Sequence, residues 1–389
     1  MVTGYAPSDL ANENLVWETT VTRNVGMDLG FLRNRFQFSA DVYRNTTENL
    51  LVEVPVPTSS GYTTQLQNVG ATSSRGVEFQ LSAAVVAKRD FTWDVNFNAS
   101  FNKVKVESLG TFQDFYYRNS GWGFSNSPAD YIVKEGELLG SMYGFVTDGF
   151  YTLNDFDYTN GAYVLKSGIA SNQSYTSAAP APGRLKFTDL NNDGAITEDD
   201  KKIIGVAQPK LFGGINQQFR YKNFDLSIFV NYQVGNDVYN ANKLEFTSGY
   251  QGNANLLDIM NNRWKTINAN GVVVTDPAEL AKLNAGAELW IPGVASNSFI
   301  LHSWAVEDGS FARINNITLG YNLPQNIVDR IKMRSARIYA TVTNLAVLTN
   351  YSGYDPEVST RRRTPETPGV DYSAYPRSRS VVFGLNLSL

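Results

Sequence analysis

The chain has 389 residues, of which 42% are hydrophobic and 18% charged, and its formal net charge at pH 7 is -4. This composition excludes a disordered chain, and the weak negative charge makes nucleic acid an unexpected partner. The absence of Cys excludes disulfide scaffolds and thiolate metal sites. The single histidine, His302, lies in an apolar stretch and is interpreted as structural, so the chain is predicted not to be an enzyme.

Alternation of apolar and polar residues with a period of two runs through most of the chain and predicts β-strands. In the first predicted strand, Arg23 interrupts the apolar row. In chain order, the regular segments are residues 21–29, 36–43, 77–83, 91–102, 226–233, 338–343 and 381–389, and less regular strands are predicted at 211–220 and 313–321. Helical periodicity is confined to residues 256–264, 277–283 and 325–331.

The segment at residues 91–102 shows the alternation most clearly. One face carries only apolar residues, namely Phe91, Trp93, Val95, Phe97, Ala99 and Phe101. Strands of soluble proteins usually run about 5–6 residues, whereas roughly 9–11 residues is the length of a tilted strand that crosses a bilayer. The pattern therefore predicts a membrane-spanning strand with an apolar outer face and a polar lumen face.

The connections between these segments are of two kinds. Those at residues 32–35, 87–90 and 221–224 are tight and polar, whereas those at about 55–71, 104–209, 235–311 and 346–380 are long. Outer-membrane barrels have short periplasmic turns and long outer loops. With the helix after Pro324 on the periplasmic side, the chain holds about nine spanning strands. An odd set cannot close a barrel alone, so the chain is interpreted as a C-terminal portion of a larger barrel.

Several short motifs lie along nearly the whole chain in a characteristic order. They are NLVWETT at residues 14–20, YRNTTENLL at 43–51, NVG at 68–70 with SRGVE at 74–78, FTDLNNDG at 187–194, IIG at 203–205 with PK at 209–210, DGSFAR at 308–313 and YSGYDPE at 351–357. With these motifs the sequence resembles the C-terminal part of the β-barrel of a SusC/RagA-type TonB-linked outer-membrane transporter. The fold class expected is all-β, an antiparallel transmembrane β-barrel segment with long extracellular loops.

This resemblance implies a protein of the outer membrane of a Gram-negative, Bacteroidetes-like bacterium. The whole barrel would have about 22 strands and a plug. The implied partners are a SusD-like surface lipoprotein, TonB, outer-membrane lipids and an oligosaccharide or peptide substrate. TonB would act through an N-terminal region, because residues 1–389 contain no plug, TonB box or signal peptide. The sequence ends in Leu389, where the family usually ends in an aromatic residue.

Residues 189–200, within the predicted extracellular excursion at 104–209, have the spacing of a calcium loop. Oxygen ligands would come from Asp189, Asn191, Asp193, the Ala195 carbonyl and Asp200, with Gly194 at the sharp turn. Position 12 is Asp rather than the usual Glu. We predict a structural Ca²⁺ here, and the alternative is an Asx-rich turn that holds no metal.

The outer loops supply candidate contacts for a substrate or a partner. Aromatic residues are dense in one segment, which contains Phe112, Phe115, Tyr116, Tyr117, Trp122 and Phe124. Flat rings with hydrogen-bonding neighbours suit sugars or peptide side chains, and the alternatives are a packed loop, an interfacial aromatic girdle or contact with the partner lipoprotein. Three arginines at residues 361–363 would contact lipopolysaccharide phosphates or an acidic partner surface, and the alternative is a solvated charge cluster in the loop.

Four carboxylates are predicted on lumen faces of the strands, namely Asp28, Asp41, Glu78 and Asp94. A plug would offer them cationic partners, although a wet lumen also tolerates them unpaired.

The alternative function for the whole chain is a calcium-stabilised surface β protein, such as an adhesin or glycan-binding module, without transport activity.

Overall fold

The computed structural model of the chain describes residues 10–110, 114–123, 127–176, 178–249, 253–293, 299–330, 332–360 and 365–388. In chain order, the strands of these residues are β1 (Thr19–Phe31), β2 (Phe36–Pro55), β3 (Thr64–Ala87), β4 (Phe91–Ser108), β5 (Phe115–Arg118), β6 (Tyr131–Lys134), β7 (Ser141–Phe145), β8 (Thr147–Phe150), β9 (Phe156–Thr159), β10 (Ala162–Leu165), β11 (Leu185–Phe187), β12 (Lys201–Val206), β13 (Leu211–Tyr221), β14 (Phe224–Val234), β15 (Asp237–Asn240), β16 (Val306–Asp308), β17 (Phe311–Asn322), β18 (Ser335–Thr349), β19 (Val370–Asp371) and β20 (Ser380–Ser388).

Helices are short and lie in the connections. They are α1 (Gln173–Thr176), α2 (Ala241–Ser248), α3 (Pro277–Leu283) and α4 (Gln325–Arg330). The helical patterns predicted at 277–283 and 325–331 correspond to α3 and α4, and the pattern at 256–264 contains a 3₁₀ turn at Asp258–Asn262. None of the described helices is long and apolar enough to cross a membrane.

Nine strands form one large open sheet in the order β1-β2-β3-β4-β13-β14-β17-β18-β20. Every neighbouring pair is antiparallel, and the strand order follows the chain. The nine spanning strands predicted from the alternation are therefore confirmed. The short turns are also confirmed, because β1 and β2, β3 and β4, and β13 and β14 are joined by two to four residues.

Strands β2, β3 and β4 are longer than the alternation predicted. They contain 20, 24 and 18 residues, and β4 continues to Ser108 although its alternation ends at Asn102. The connection expected at 55–71 is shorter, because β3 already begins at Thr64. Beyond Asn102 the pattern of β4 changes because Val106, only 1% exposed, packs on Leu109 and Val133 of the connection that follows, whereas Lys103 and Glu107 are exposed. Backbone pairing such as Ser73 with Lys105 continues there.

The two faces of the sheet have opposite chemistry. On the outward face, Leu29, Phe38, Leu81, Phe97 and Ile215 lie side by side on five successive strands. The inward face carries polar pairs that hydrogen-bond between strands. These include Ser39 with Asp28 at 2.5 Å, Ser82 with Asn96 at 2.8 Å and Thr318 with Thr341 at 2.9 Å. Each strand thus has one apolar and one polar face, as its sequence predicts.

The three long connections, between β4 and β13, β14 and β17, and β18 and β20, pack into a unit that we call the loop assembly. It contains small sheets of the orders β12-β7-β6-β5 and β16-β15-β19 and two strand pairs, β8 with β11 and β9 with β10. One buried cluster draws residues from all three connections, namely Trp122, Tyr131, Met142, Tyr239, Ala241, Leu244, Leu301, Ala305 and Val370. The loop assembly therefore has an apolar core of its own.

An ion network joins the sheet to the last connection. Arg313 of β17 is only 1% exposed and donates to Asp355 Oδ1 at 2.5 Å and to Asn344 Oδ1 at 2.6 Å. Arg377 approaches Glu357 at 3.0 Å, and Glu357 lies 3.4 Å from Arg313 Nε. The motifs DGSFAR and YSGYDPE therefore meet through a buried charge pair, which the sequence alone did not reveal.

Candidate functional site

Three aromatic rings form an exposed strip on the four-stranded sheet of the loop assembly. Because β5 alternates, Phe115 and Tyr117 share one face, and each is 43% exposed. Their ring centroids are 5.3 Å apart, and Tyr117 stacks on Tyr143 of β7 at 5.4 Å. We call Phe115, Tyr117 and Tyr143 the aromatic strip. It presents flat apolar faces next to phenol groups, which can both stack and hydrogen-bond.

The edge of the aromatic strip is acidic. Burial raises the pKa of the Tyr143 phenol, and Tyr117, Glu198 and Asp199 raise it further. Deprotonation of Tyr143 is therefore even less favourable than that of an ordinary tyrosine, which is already protonated at neutral pH. The sequence did not single out Tyr143, because it lies on a different strand from the aromatic-rich segment.

Tyr116, on the opposite face of β5, is an internal anchor. Its hydroxyl donates to Glu366 Oε1 at 2.6 Å, and Arg118 Nε donates to Glu366 Oε2 at 2.5 Å. The Arg118 guanidinium also lies 4.6 Å from the Tyr116 ring centroid. Burial and the Glu366 carboxylate raise the pKa of Tyr116. Tyr116, predicted as a substrate or partner contact, instead ties β5 to the last connection.

Trp122 also differs from its predicted role as a contact residue. It is 7% exposed and packs on Phe299, Tyr372 and Tyr239, with centroid distances of 4.7, 5.4 and 5.7 Å. The indole therefore belongs to the core of the loop assembly. Phe112, Phe124 and the arginines at 361–363 lie outside the described residues.

A polar concavity of about 540 Å³ lies on the inward face of the large sheet. Its polar lining includes Asp41, Glu78, Gln80, Asn98, Asn231 and Gln233, and Glu357 of the last connection closes one side. Of the four carboxylates predicted on the lumen face, Asp41 and Glu78 line the concavity and accept hydrogen bonds from Asn24 and Ser100. Asp28 is bound by Ser39. The concavity offers amide and carboxylate groups to a ligand or to a plug.

The predicted calcium loop is a compact turn. Asp189 accepts hydrogen bonds from the backbone N–H groups of Asn192 at 2.6 Å and Gly194 at 2.9 Å. Asp193 accepts from the Ala195 N–H at 2.8 Å. Gly194 has φ of +85°, as the sharp turn requires. Backbone N–H donors of the loop therefore hold the carboxylates of both Asp189 and Asp193 in place.

Asp200 at the end of the loop is fully buried. Its two oxygens accept from the N–H groups of Leu190 and Thr197, both at 2.8 Å, which joins the two ends of the loop. In the described part of the chain, no group of three or more His, Cys, Asp or Glu side chains comes close enough to hold a metal ion. The donor set consists of oxygen atoms only, which suits Ca²⁺ chemically. The calcium site therefore stays a prediction.

His302 is a buried structural residue. Burial and the nearby Lys243 lower its pKa to about 3, so the imidazole stays neutral. Its Nδ1 lies 2.6 Å from Thr147 Oγ1, and its ring stacks with Trp304. This environment agrees with the structural role expected of the single histidine.

Comparison with known proteins identifies the family. The profile described as "TonB dependent receptor-like, beta-barrel" matches residues 2–345. TonB-dependent receptor P3 of Formosa agariphila is 34% identical over 99% of this chain and 36% of its own length. TonB-dependent receptor SusC of Bacteroides thetaiotaomicron is 28% identical over 97% of this chain and 32% of its own length. These relatives are named receptors, in agreement with the prediction that the chain is not an enzyme.

Solved structures show the same fold. The structure of the RagAB peptide transporter matches with a TM-score of 0.70 and 23% identity, over 98% of this chain and 36% of that chain. The chain thus spans about a third of the length of the curated relatives it matches. The chain belongs to the TonB-dependent receptor family, as its SusC/RagA-type motifs predicted, and forms part of that family's β-barrel.

Proposed function

We propose that the chain is the C-terminal barrel portion of an outer-membrane nutrient importer. The observation that carries the proposal is the large sheet, which has a continuous apolar outward face and a polar inward face. A water-soluble sheet would need a second layer over the apolar face, whereas a barrel strand exposes that face to lipid. In the proposed receptor, TonB acts through parts that lie outside this sequence, and a SusD-like lipoprotein meets the loop assembly.

The proposed substrate class is an oligosaccharide or a peptide. Support comes from the aromatic strip, whose rings suit sugar faces and peptide side chains, and from the polar concavity below the loop assembly. One matched structure is that of a peptide transporter, and the name of one relative is SusC. The aromatic strip lies in the loop assembly and the concavity on the inward face of the large sheet. Both are candidate contact surfaces along one path of the substrate through the receptor.

Uptake by a strain with the whole receptor gene deleted tests the proposal. We expect complementation to restore uptake of one class, either oligosaccharides or peptides. Replacing Tyr117 with Ala should reduce this uptake, whereas the control Tyr158→Ala, at a similarly exposed tyrosine of β9, should not. A receptor that is fully soluble without detergent would contradict the proposal and favour the alternative, a surface β protein such as an adhesin.

We also propose that Ca²⁺ binds residues 189–200 and acts structurally. Asp189, Asn191, Asp193, the Ala195 carbonyl and Asp200 would hold the ion. An extracellular loop of this kind suits affinities of about 10⁻⁴–10⁻³ M. Chelation and Asp193→Ala should both make the first long connection more sensitive to protease, whereas the control Asp199→Ala, within the same segment but outside the ligand set, should not. Identical protease patterns for all forms would contradict the calcium site and leave an Asx-rich turn.

A further inference from the structure

Four basic residues lie side by side on the outward face of β1 to β4. Arg23 pairs with Arg44, Arg44 with Arg75, and Arg75 with Lys103, with no register shift at these pairs. Adjacent strands are about 4.8 Å apart, so the four Cα atoms span roughly 15 Å. We call Arg23, Arg44, Arg75 and Lys103 the basic row.

The basic row is on the face that meets lipid. Each of its members lies two residues from an apolar residue of the outward band, and the adjoining row is Val25, Val42, Val77 and Phe101. All four basic residues are exposed. The inward row one residue away, Asn24, Tyr43, Gly76 and Asn102, is uncharged. The positive charge is therefore specific to the outward face.

Distance from the periplasmic turns places the basic row at the outer edge of the apolar band. Arg23 and Arg44 lie about eight residues from the turn of β1 and β2, and Arg75 and Lys103 lie about twelve from that of β3 and β4. These separations are roughly 26 and 40 Å along the strands, or roughly 20 and 30 Å along the membrane normal at a tilt of about 40°. The apolar band of a barrel is about 25 Å tall.

No protein group neutralises the basic row within the described parts of the chain. None of its members takes part in an ion pair or a side-chain hydrogen bond there. Glu107, further along β4, accepts a hydrogen bond from Ser73 instead. Like charges directly opposite each other on neighbouring strands destabilise a sheet. Four cations in succession therefore require a counter-anion that comes from outside the sheet.

We propose that the basic row binds the phosphate groups of anionic lipid head groups in the outer leaflet. This inference rests on the proposed outer-membrane function. Arginine pairs bidentately with phosphate, and the position next to the apolar band lets a lipid place its acyl chains on Val25, Val42, Val77 and Phe101 while its head group meets the cations. A free anion or a soluble acidic protein would gain nothing from that adjoining apolar row.

Binding of phosphorylated and dephosphorylated lipid A to the purified, delipidated full-length receptor tests the proposal. Near an anionic surface each Lys or Arg contributes about fivefold to binding. We expect bisphosphorylated lipid A to bind at least about tenfold more tightly than the dephosphorylated form. Changing Arg23, Arg44, Arg75 and Lys103 to Gln should abolish this preference. Heat-modifiable gel migration will show that the variant is folded.

The matched control removes four cations at the periplasmic turns, by changing Arg33, Lys88, Arg89 and Lys222 to Gln, and should keep the preference. An unchanged preference in the basic-row variant would overturn the proposal, because another group would then cover the row. Row-dependent binding of inorganic phosphate alone, without a preference between lipids, would also overturn it. A wild-type receptor that restores no uptake but shows the lipid preference would contradict the proposed function only. A wild-type receptor that restores uptake but shows no lipid preference would contradict the proposal for the basic row only.

Discussion

The large sheet and the loop assembly place the same kinds of side chain in opposite environments. In the sheet, Val25 and Phe383 are 77% and 80% exposed, whereas in the loop assembly Tyr131 and Phe145 are fully buried. Both regions are rich in aromatic residues and mainly antiparallel, although β15 and β19 of the loop assembly pair in parallel. The difference indicates that the loop assembly is built to fold in water and that the sheet requires lipid on one face.

This contrast has an energetic basis. Burying a large apolar side chain contributes about 1.5–3 kcal/mol, and the loop assembly obtains this contribution by packing three connections together. On the outward face of the sheet, lipid chains take the place of a second protein layer in the proposed receptor. Changes in the two regions should therefore have separable effects.

The largest expected effect is in the core of the loop assembly. Changing Trp122 to Ala should destabilise this unit by about 3–5 kcal/mol, because a large buried ring is replaced by a cavity. Protease sensitivity of the three long connections will measure the effect, while heat-modifiable migration of the barrel should persist. Phe115→Ala, at an exposed ring of the same segment, is the control. Equal sensitivity of both variants would contradict the buried role of Trp122.

A smaller effect is expected in the lipid-facing band. Changing Phe97 to Arg should cost about 2–4 kcal/mol, because a cation near the bilayer midplane of a barrel is poorly solvated. The control Asn96→Arg places the same cation on the inward face. The yield of heat-modifiable receptor in the membrane fraction will compare the variants. Equal loss of both would remove the distinction between the two faces.

A pH dependence is expected in the loop assembly. Asp130 is 4% exposed, accepts from Ser120 N at 2.8 Å and Oγ at 2.5 Å, and has its pKa raised by burial to about 6 from 3.8. The folded state thus favours the protonated acid, whose stabilising contribution, up to about 3 kcal/mol, is complete below pH 3.8 and lost as pH rises through about 6.

Hydrogen exchange of residues 114–123, corrected for the intrinsic effect of pH, measures this dependence. Protection should fall as pH rises through about 6, and the near-isosteric Asp130→Asn should remove that component. The same pH profile in the wild type and in Asp130→Asn would contradict the assignment to Asp130.

The sequence predicted the sheet better than the site, for a physical reason. Alternation in segments such as residues 91–102 distinguishes the apolar face of a strand from its polar face. The number of strands, the short turns between them and the chemistry of the two faces were therefore all predictable. The ends of β3 and β4 were not, because packing on the loop assembly, as at Val106, replaces the contrast between lipid and lumen there. Helix α2, with Asn240 as its N-cap, also lacked a clear helical period.

Contacts in the loop assembly depend on residues far apart in the chain. Tyr116 and Trp122 looked like ligand contacts because aromatic residues are dense around them. Their partners, Glu366 and Tyr372, come from the last connection, more than two hundred residues away. The alternation of β5 does predict that Phe115 and Tyr117 share a face, but only the fold shows that this face is exposed.

Accessibility of spin labels along β4 tests the central claim most directly, which is that the apolar face of the large sheet meets lipid. This chain contains no Cys, so single cysteines at residues 91–108 of the full receptor can each carry a label. We predict that contact with oxygen, which concentrates in lipid, peaks at Val95, Phe97 and Ala99, and that contact with a water-soluble nickel chelate peaks at Asn96 and Asn98. The oxygen signal should fall beyond Asn102, where Val106 packs against Leu109 and Val133 of the protein. Absence of a period of two at residues 91–102, or the opposite phase, would contradict the account.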